Sequence, residues 1–294
     1  MKRKILLIVV CFALMSGCSR RAAPPQGILI AVSIPPQAWF VSQIAGDKAG
    51  VLVLAGPGQN PHNYEPSPKQ IQGLSSAGAW ILSGSEFEIG LKPKVAALFP
   101  ALLIVDATEG VQFRSLEEHE DHDEDDDDDD GHDDIDRHTW LGKEPAKILA
   151  AHIRDALSAL DSANAAHYSE QYKTLVRLID DEFDKLKIAL APLEGRSVFV
   201  YHPSFGYFLD EFGIHQEAVE TGGKEPGPRE LAKLAAKINE EKPAAIFVQT
   251  QFPVNAAKTL AAAAGAELIE MDPLAEDWLE NIRRMGEALQ RAVK

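Results

Sequence analysis

The chain has 294 residues, of which 45% are hydrophobic and 25% charged, with formal net charge −16 and 2 cysteines. This length accommodates two compact lobes, each with its own core. No basic patch or stripe offers a surface for nucleic acid, and the two cysteines, Cys11 and Cys18, leave no mature thiol pair, which excludes disulfides and thiolate metal sites.

The first residues read as an address. Lys2, Arg3 and Lys4 precede an apolar run over 5–15. That run is shorter than the ~20 residues needed to span a bilayer and fits a secretory signal over 1–17. Ser16-Gly17-Cys18 resembles a lipobox, with Met15 where Leu is usual, so Cys18 is the expected lipidation point. Residues 18–27, with Pro24 and Pro25, read as a tether. An exported chain held to the membrane by a lipid, at the periplasmic face or the outer cell surface, is expected.

A first lobe is expected over 28–161. Apolar runs at 28–34, 51–55, 80–82 and 102–105 read as strands, and 36–45, 67–77, 89–99 and 145–160 as helices. Ser67-Pro68 supplies an N-cap and a favoured first helical residue. Strand–helix alternation argues for mostly parallel sheets, which bind ligands beyond the carboxyl ends of their strands. His62, in the turn-rich stretch Asn60-Pro61-His62-Asn63-Tyr64-Glu65-Pro66, falls at such an end. A lone histidine there fits a polar surface loop better than a metal site, which needs several converging ligands.

Within this lobe an acidic loop is expected over 114–137. Fifteen carboxylates and no Lys or Arg lie between Glu117 and Asp136, and the remainder of the chain sums to only −1. Such a block repels itself and should stay solvated. It carries His119, His122 and His132, and imidazoles among carboxylates suit divalent metals, zinc foremost. An auxiliary metal-collecting loop and an acidic spacer with incidental histidines both fit the composition. His138 follows directly.

Residues 162–190 read as one long helix. Tyr168, Tyr172, Leu175, Ile179, Phe183, Leu186 and Leu190 recur every three or four positions. At 1.5 Å per residue it spans on the order of 40 Å, enough for a rigid rod joining two lobes. A second lobe is expected over 191–294, with strands at 197–201, 216–220, 244–248 and 267–271 and helices at 228–241, 254–264 and 275–293. His202 follows the first of these strands and Asp272 the last. His62, His138, His202 and Asp272 thus all sit at element ends, two from each lobe. Three imidazoles and a carboxylate suit tetrahedral zinc, although their spacing does not show that they meet.

The segments PHNYEPSP, HTWL, HPSFGYF, GKEPGPREL, FVQTQF and MDPLAEDW together resemble the metal-specific solute-binding proteins of bacterial ABC importers, the zinc/manganese-binding lipoproteins of ZnuA-like kind. The resemblance runs from residue 28 to the C-terminus, broken only by the acidic insert. It implies two α/β lobes joined by one long helix, with the metal in the cleft between them. It implies His62, His138 and His202 as ligands, with Asp272 at the acidic fourth position some members use, others using water or a loop residue. Gly142 and Asn60 stand where Asp is common. His202 stands where manganese-type relatives carry Glu, and imidazole there favours zinc over manganese.

The expectation is therefore a non-enzymatic, monomeric receptor that captures Zn²⁺ and delivers it to the membrane subunits of an ABC permease. A manganese receptor of the same family is one competing function. An anchored zinc hydrolase is another, needing a general base for which Glu65 and Glu225 are the nearest candidates. A surface adhesin or metal buffer is a third.

Overall fold

The computed structural model describes residues 27–116, 135–220, 227–241, 243, 245–252 and 255–292. The expected signal segment, Cys18, the tether, His119, His122, His132 and Glu225 lie outside the described residues. Among the described residues no helix is long and apolar enough to cross a membrane.

Two four-stranded parallel sheets organise the chain. The first holds β1 (Ile28–Val32), β2 (Ala49–Val53), β3 (Ala79–Leu82) and β4 (Leu103–Asp106) in the order β2-β1-β3-β4. The second holds β5 (Ser197–Val200), β6 (His215–Ala218), β7 (Ala245–Val248) and β8 (Glu267–Glu270) in the order β6-β5-β7-β8. In both, the chain leaves the central strand for one edge and then crosses to the other side, which places a switch point beside β1 and beside β5.

The first sheet's helices are α1 (Pro35–Ala45), α2 (Pro68–Leu74) and α3 (Glu86–Leu98). Ser67 caps α2 through its hydroxyl, as its sequence predicts. Helix α3 begins three residues before the first apolar position of the pattern, because Glu86 and Glu88 occupy its first turn, where carboxylates favour the helix dipole. Next come α4 (Lys143–Leu160) and α5 (Ala165–Leu190), the second preceded by a 3₁₀ turn over Ser162–Asn164. Helices α6 (Gly206–Asp210), α7 (Pro228–Glu241), α8 (Asn255–Ala264) and α9 (Trp278–Arg291) belong to the second sheet.

Strand alternation separates three cores. Ile30, Val32, Val198 and Val200 point inward and join one continuous apolar cluster shared by both sheets. Ala31, Trp80 and Leu82 face outward toward α2 and α3, and Phe199, Ile246 and Val248 outward toward α7 and α8. Helix α5 lies in the shared cluster. Tyr168, Leu175, Ile179, Phe183, Leu186 and Leu190 are buried there with Trp278 and Ile282 of α9. At about 1.5–3 kcal/mol per fully buried large side chain, this face fastens the helix along its length to both halves. The rod read from the sequence is thus a packed spine. A Cβ on Gly286 would overlap the Leu186 side chain, so α9 approaches α5 as closely as a glycine permits.

Candidate metal centre

His62 comes from the loop that follows β2. Tyr64 pins that loop by donating its hydroxyl to the Leu54 carbonyl (2.6 Å), and Gln70 of α2 donates to the same oxygen (2.6 Å). The Asn60 side chain accepts from the His62 N–H (3.0 Å), so the residue that replaces the commoner Asp still closes the turn. His138 sits where the chain returns from the acidic insert and enters a 3₁₀ turn over Thr139–Leu141. His202 lies two residues past β5, its N–H donating to Gln249 (3.2 Å) and its carbonyl accepting from the same side chain (2.6 Å). Phe252 stacks on its ring at 4.4 Å between centroids.

The three rings converge. One nitrogen from each of His62, His138 and His202 lies within 4.8 Å of the other two. The Nε2 atoms of His62 and His202 are 2.9 Å apart. Ligands of a tetrahedral zinc ion at Zn–N distances near 2.05 Å stand roughly 3.3 Å apart, so a small spreading of these two rings would seat the ion. Behind the cluster each Nδ1 meets a carboxylate: His62 meets Glu86 at 3.1 Å, His138 meets Asp136 at 2.8 Å, and His202 meets Glu220 at 2.6 Å. An ionised carboxylate only accepts, so each Nδ1 carries the proton and each Nε2 lone pair is left for a cation. Carboxylate–imidazole pairing of this kind orients metal-binding histidines and raises their basicity.

The electrostatics favour a neutral His202 and ionised Glu86 and Asp136. Burial, together with the neighbouring His138 and His62 rings, holds His202 well below the ordinary histidine value. Burial pushes the Glu86 carboxyl up, but the His62 ring, bonded to it, outweighs that and brings it to about 2. For Asp136 burial again opposes ionisation, and the His138 and Arg114 bonds override it. The cavity at the cluster measures about 20 Å³ and is walled by the three histidines with Glu86, Gln251 and Phe252 among others.

Asp272 is not part of the histidine group. Its Oδ1 accepts from the Leu274 N–H (2.9 Å) and from Gln251 Nε2 (2.8 Å), which engages that oxygen in capping the turn after β8. Gln251, which lines the cavity, stands between the two. The margins of the acidic loop also differ from the solvated expectation. Ser115 and Ile135 form an antiparallel bridge, and Asp136 is fully buried. Glu86, Asp136, Glu220 and Gln251 escape sequence reasoning. The one local signal is Asp136, two residues before His138, which the other acids of the insert mask.

Two parallel α/β lobes thus share a single spine, with three imidazoles converging between them. The chain matches the family described as ZnuA, zinc-uptake complex component A periplasmic, over residues 30–292. It is 28% identical over 97% of its length to the zinc-binding lipoprotein AdcA of Streptococcus pneumoniae (strain ATCC BAA-255 / R6), of which it spans only 58%. It is 27% identical to the high-affinity zinc uptake system protein ZnuA of Bacillus subtilis (strain 168), over 90% of this chain and 85% of that one. A crystal structure of ZnuA superposes with a TM-score of 0.82 at 31% identity, covering 91% of this chain and all of the other. The chain belongs to the ZnuA family.

Proposed function

We propose that this protein is an exported receptor that binds one Zn²⁺ ion through His62, His138 and His202 and hands it to an ABC permease. The observation that carries the reading is the set of three imidazoles turned to one point, each with Nδ1 held by its own carboxylate. An all-nitrogen donor set suits zinc better than manganese, which prefers oxygen. Names borne by relatives, a zinc-binding lipoprotein and a zinc uptake protein, support the same cargo. Binding without chemistry is favoured over hydrolysis, because the three carboxylates beside the histidines are each taken up by an imidazole Nδ1, which leaves none of the three placed as a general base. Glu65, the candidate base within the described residues, is exposed and is not among the residues that wall the histidine cavity.

The reading extends to Cys18 as the lipidated anchor, to a monomer in which one chain supplies all three nitrogens, and to the acidic insert with His119, His122 and His132 as a weaker collector. Fifteen carboxylates raise the local cation concentration over a Debye length of about 8 Å. Titration calorimetry of the metal-free mature protein tests the core of the proposal. It should show one tight zinc equivalent, with manganese bound far more weakly. Equal affinities for the two metals, or no tight equivalent, would refute it.

A further inference from the structure

One of the three carboxylate–imidazole pairs continues a step further. Asp136 is buried, and its Oδ1 receives both the Nδ1 proton (2.8 Å) and the backbone N–H (2.9 Å) of His138. Its Oδ2 accepts from Arg114 Nη1 (2.9 Å). The same guanidinium reaches into the second lobe, where Nε donates to Asp210 Oδ2 (2.8 Å). Tyr207 closes the arrangement by accepting from the Arg114 N–H (3.1 Å) and donating to the Asp136 carbonyl (3.0 Å). Space for the guanidinium exists because residue 206 is glycine. A Cβ there would overlap Arg114 Nη1 and lie 2.8 Å from Asp136 Oδ2.

We propose that Arg114 is a positioning residue for His138, acting through Asp136, and that Asp210 fastens the same guanidinium to the second lobe. This rests on the reading of His138 as a zinc ligand. The physical reason lies in the geometry of the carboxylate. With both oxygens engaged, Asp136 cannot turn, and the His138 ring is fixed with its proton on Nδ1. Without Arg114, Oδ2 is left buried and unpaired, which is costly, and the carboxyl relieves that cost by rotating away from the ring. His138 is then free to carry its proton on Nε2, the form that cannot bind a metal through that atom. A purely structural ion pair would lower stability on its removal and leave the ring's tautomer unchanged.

The experiment compares Arg114→Ala, Arg114→Lys, Gly206→Ala and Asp210→Asn with wild type in the full mature chain. Two quantities are read: zinc affinity by chelator competition, and the His138 tautomer in the metal-free protein by long-range proton–nitrogen correlation. Arg114→Ala should weaken zinc about tenfold, the lower end of the loss typical when a metal ligand's supporting partner is removed, and should populate Nε2–H. Gly206→Ala, which displaces the guanidinium without changing a charge, should reproduce both effects. Arg114→Lys should recover most of the affinity, since one ammonium donor still reaches Asp136. Asp210→Asn should stay within threefold. If Arg114→Ala does not fold, the Lys and Gly206 variants decide by the same readouts. Affinity within threefold and an unchanged tautomer in Arg114→Ala and Gly206→Ala would overturn the proposal. So would an Asp210→Asn loss equal to that of Arg114→Ala, which would assign the effect to lobe docking. A wild-type protein that fails to bind zinc would defeat the ligand reading instead, while the tautomer measurement would still decide the role of Arg114.

Discussion

The two lobes repeat one sheet plan and fill the same place differently. In the first, the N–H groups of Leu54 and Ala55 reach the carbonyls of Val32 and Ser33. In the second, those of Val219 and Glu220 reach Val200 and Tyr201. These matching bonds make Ile34 the counterpart of His202 and Ala55 the counterpart of Glu220. A glutamine oxygen receives the backbone N–H at both positions, Gln37 for Ile34 and Gln249 for His202. Where the second lobe installs an imidazole and its carboxylate, the first installs two buried apolar side chains. It supplies its histidine instead from the loop beyond, with 28% of the His62 side chain exposed against 7% for His202. A switch point therefore holds one histidine of the cluster buried, and a pinned loop holds another partly exposed.

The contrast can be broken most severely at His202. On the proposed reading His202→Ala removes a ligand, and it leaves Glu220 buried without its imidazole. It should cost at least a hundredfold in zinc affinity and about 2 kcal/mol in metal-free stability, read by chelator competition and urea unfolding. His62→Ala should cost at least tenfold in affinity but leave metal-free stability within about 0.5 kcal/mol, because its site faces solvent. Equal destabilisation by the two changes would erase the distinction drawn above.

The supporting carboxylates should rank in the same order. Glu220→Gln should weaken zinc roughly tenfold or more, and Glu86→Gln less, since an exposed partner is replaced by water at little cost. Calorimetry of the two variants side by side measures the ranking, and a larger loss for Glu86→Gln would invert it.

Acid offers a gentler probe. Burial depresses the folded pKa of His202 below 6.5, so as pH falls through 6.5 the unfolded chain takes up a proton that the native one refuses. Metal-free stability should thus be fully present above that pH and fall below it, by at most about 1.4 kcal/mol per pH unit from this group. His202→Gln should show a shallower decline between pH 7 and 5. Parallel urea midpoints for the two proteins would show that His202 does not set the slope.

The smallest effect is expected from deleting residues 117–134, which keeps Asp136 in place. Tight zinc binding and the melting temperature should hardly move, while weaker zinc equivalents disappear. Loss of the tight site would place a ligand within the insert.

Periodicity made most of the elements legible, and the stripe from Tyr168 to Leu190 gave α5 its length, though not its burial between both sheets. The three histidines stood out because each ends an element in a turn-rich segment. Their carboxylates did not. Asp136 is one of fifteen acids in a biased tract, Glu220 lies 18 residues from His202, and Glu86 belongs to a different helix from the loop that carries His62. Such pairings are made by topology across the sheets, and no local pattern records them. Asp272 has the right chemical type at a strand end, but a bond from the Leu274 N–H and one from the Gln251 amide engage its Oδ1, and it lies outside the histidine group.

The cavity of about 20 Å³ also sets a toll on hydration. On the reading of the three histidines as ligands, an ion seated there exchanges at least three waters of its shell for imidazole nitrogens. Magnesium gives up its waters reluctantly and calcium requires six to eight oxygens, so such a site would serve both poorly. Selectivity against them would then begin with dehydration, and the nitrogen donors would discriminate among the ions that remain.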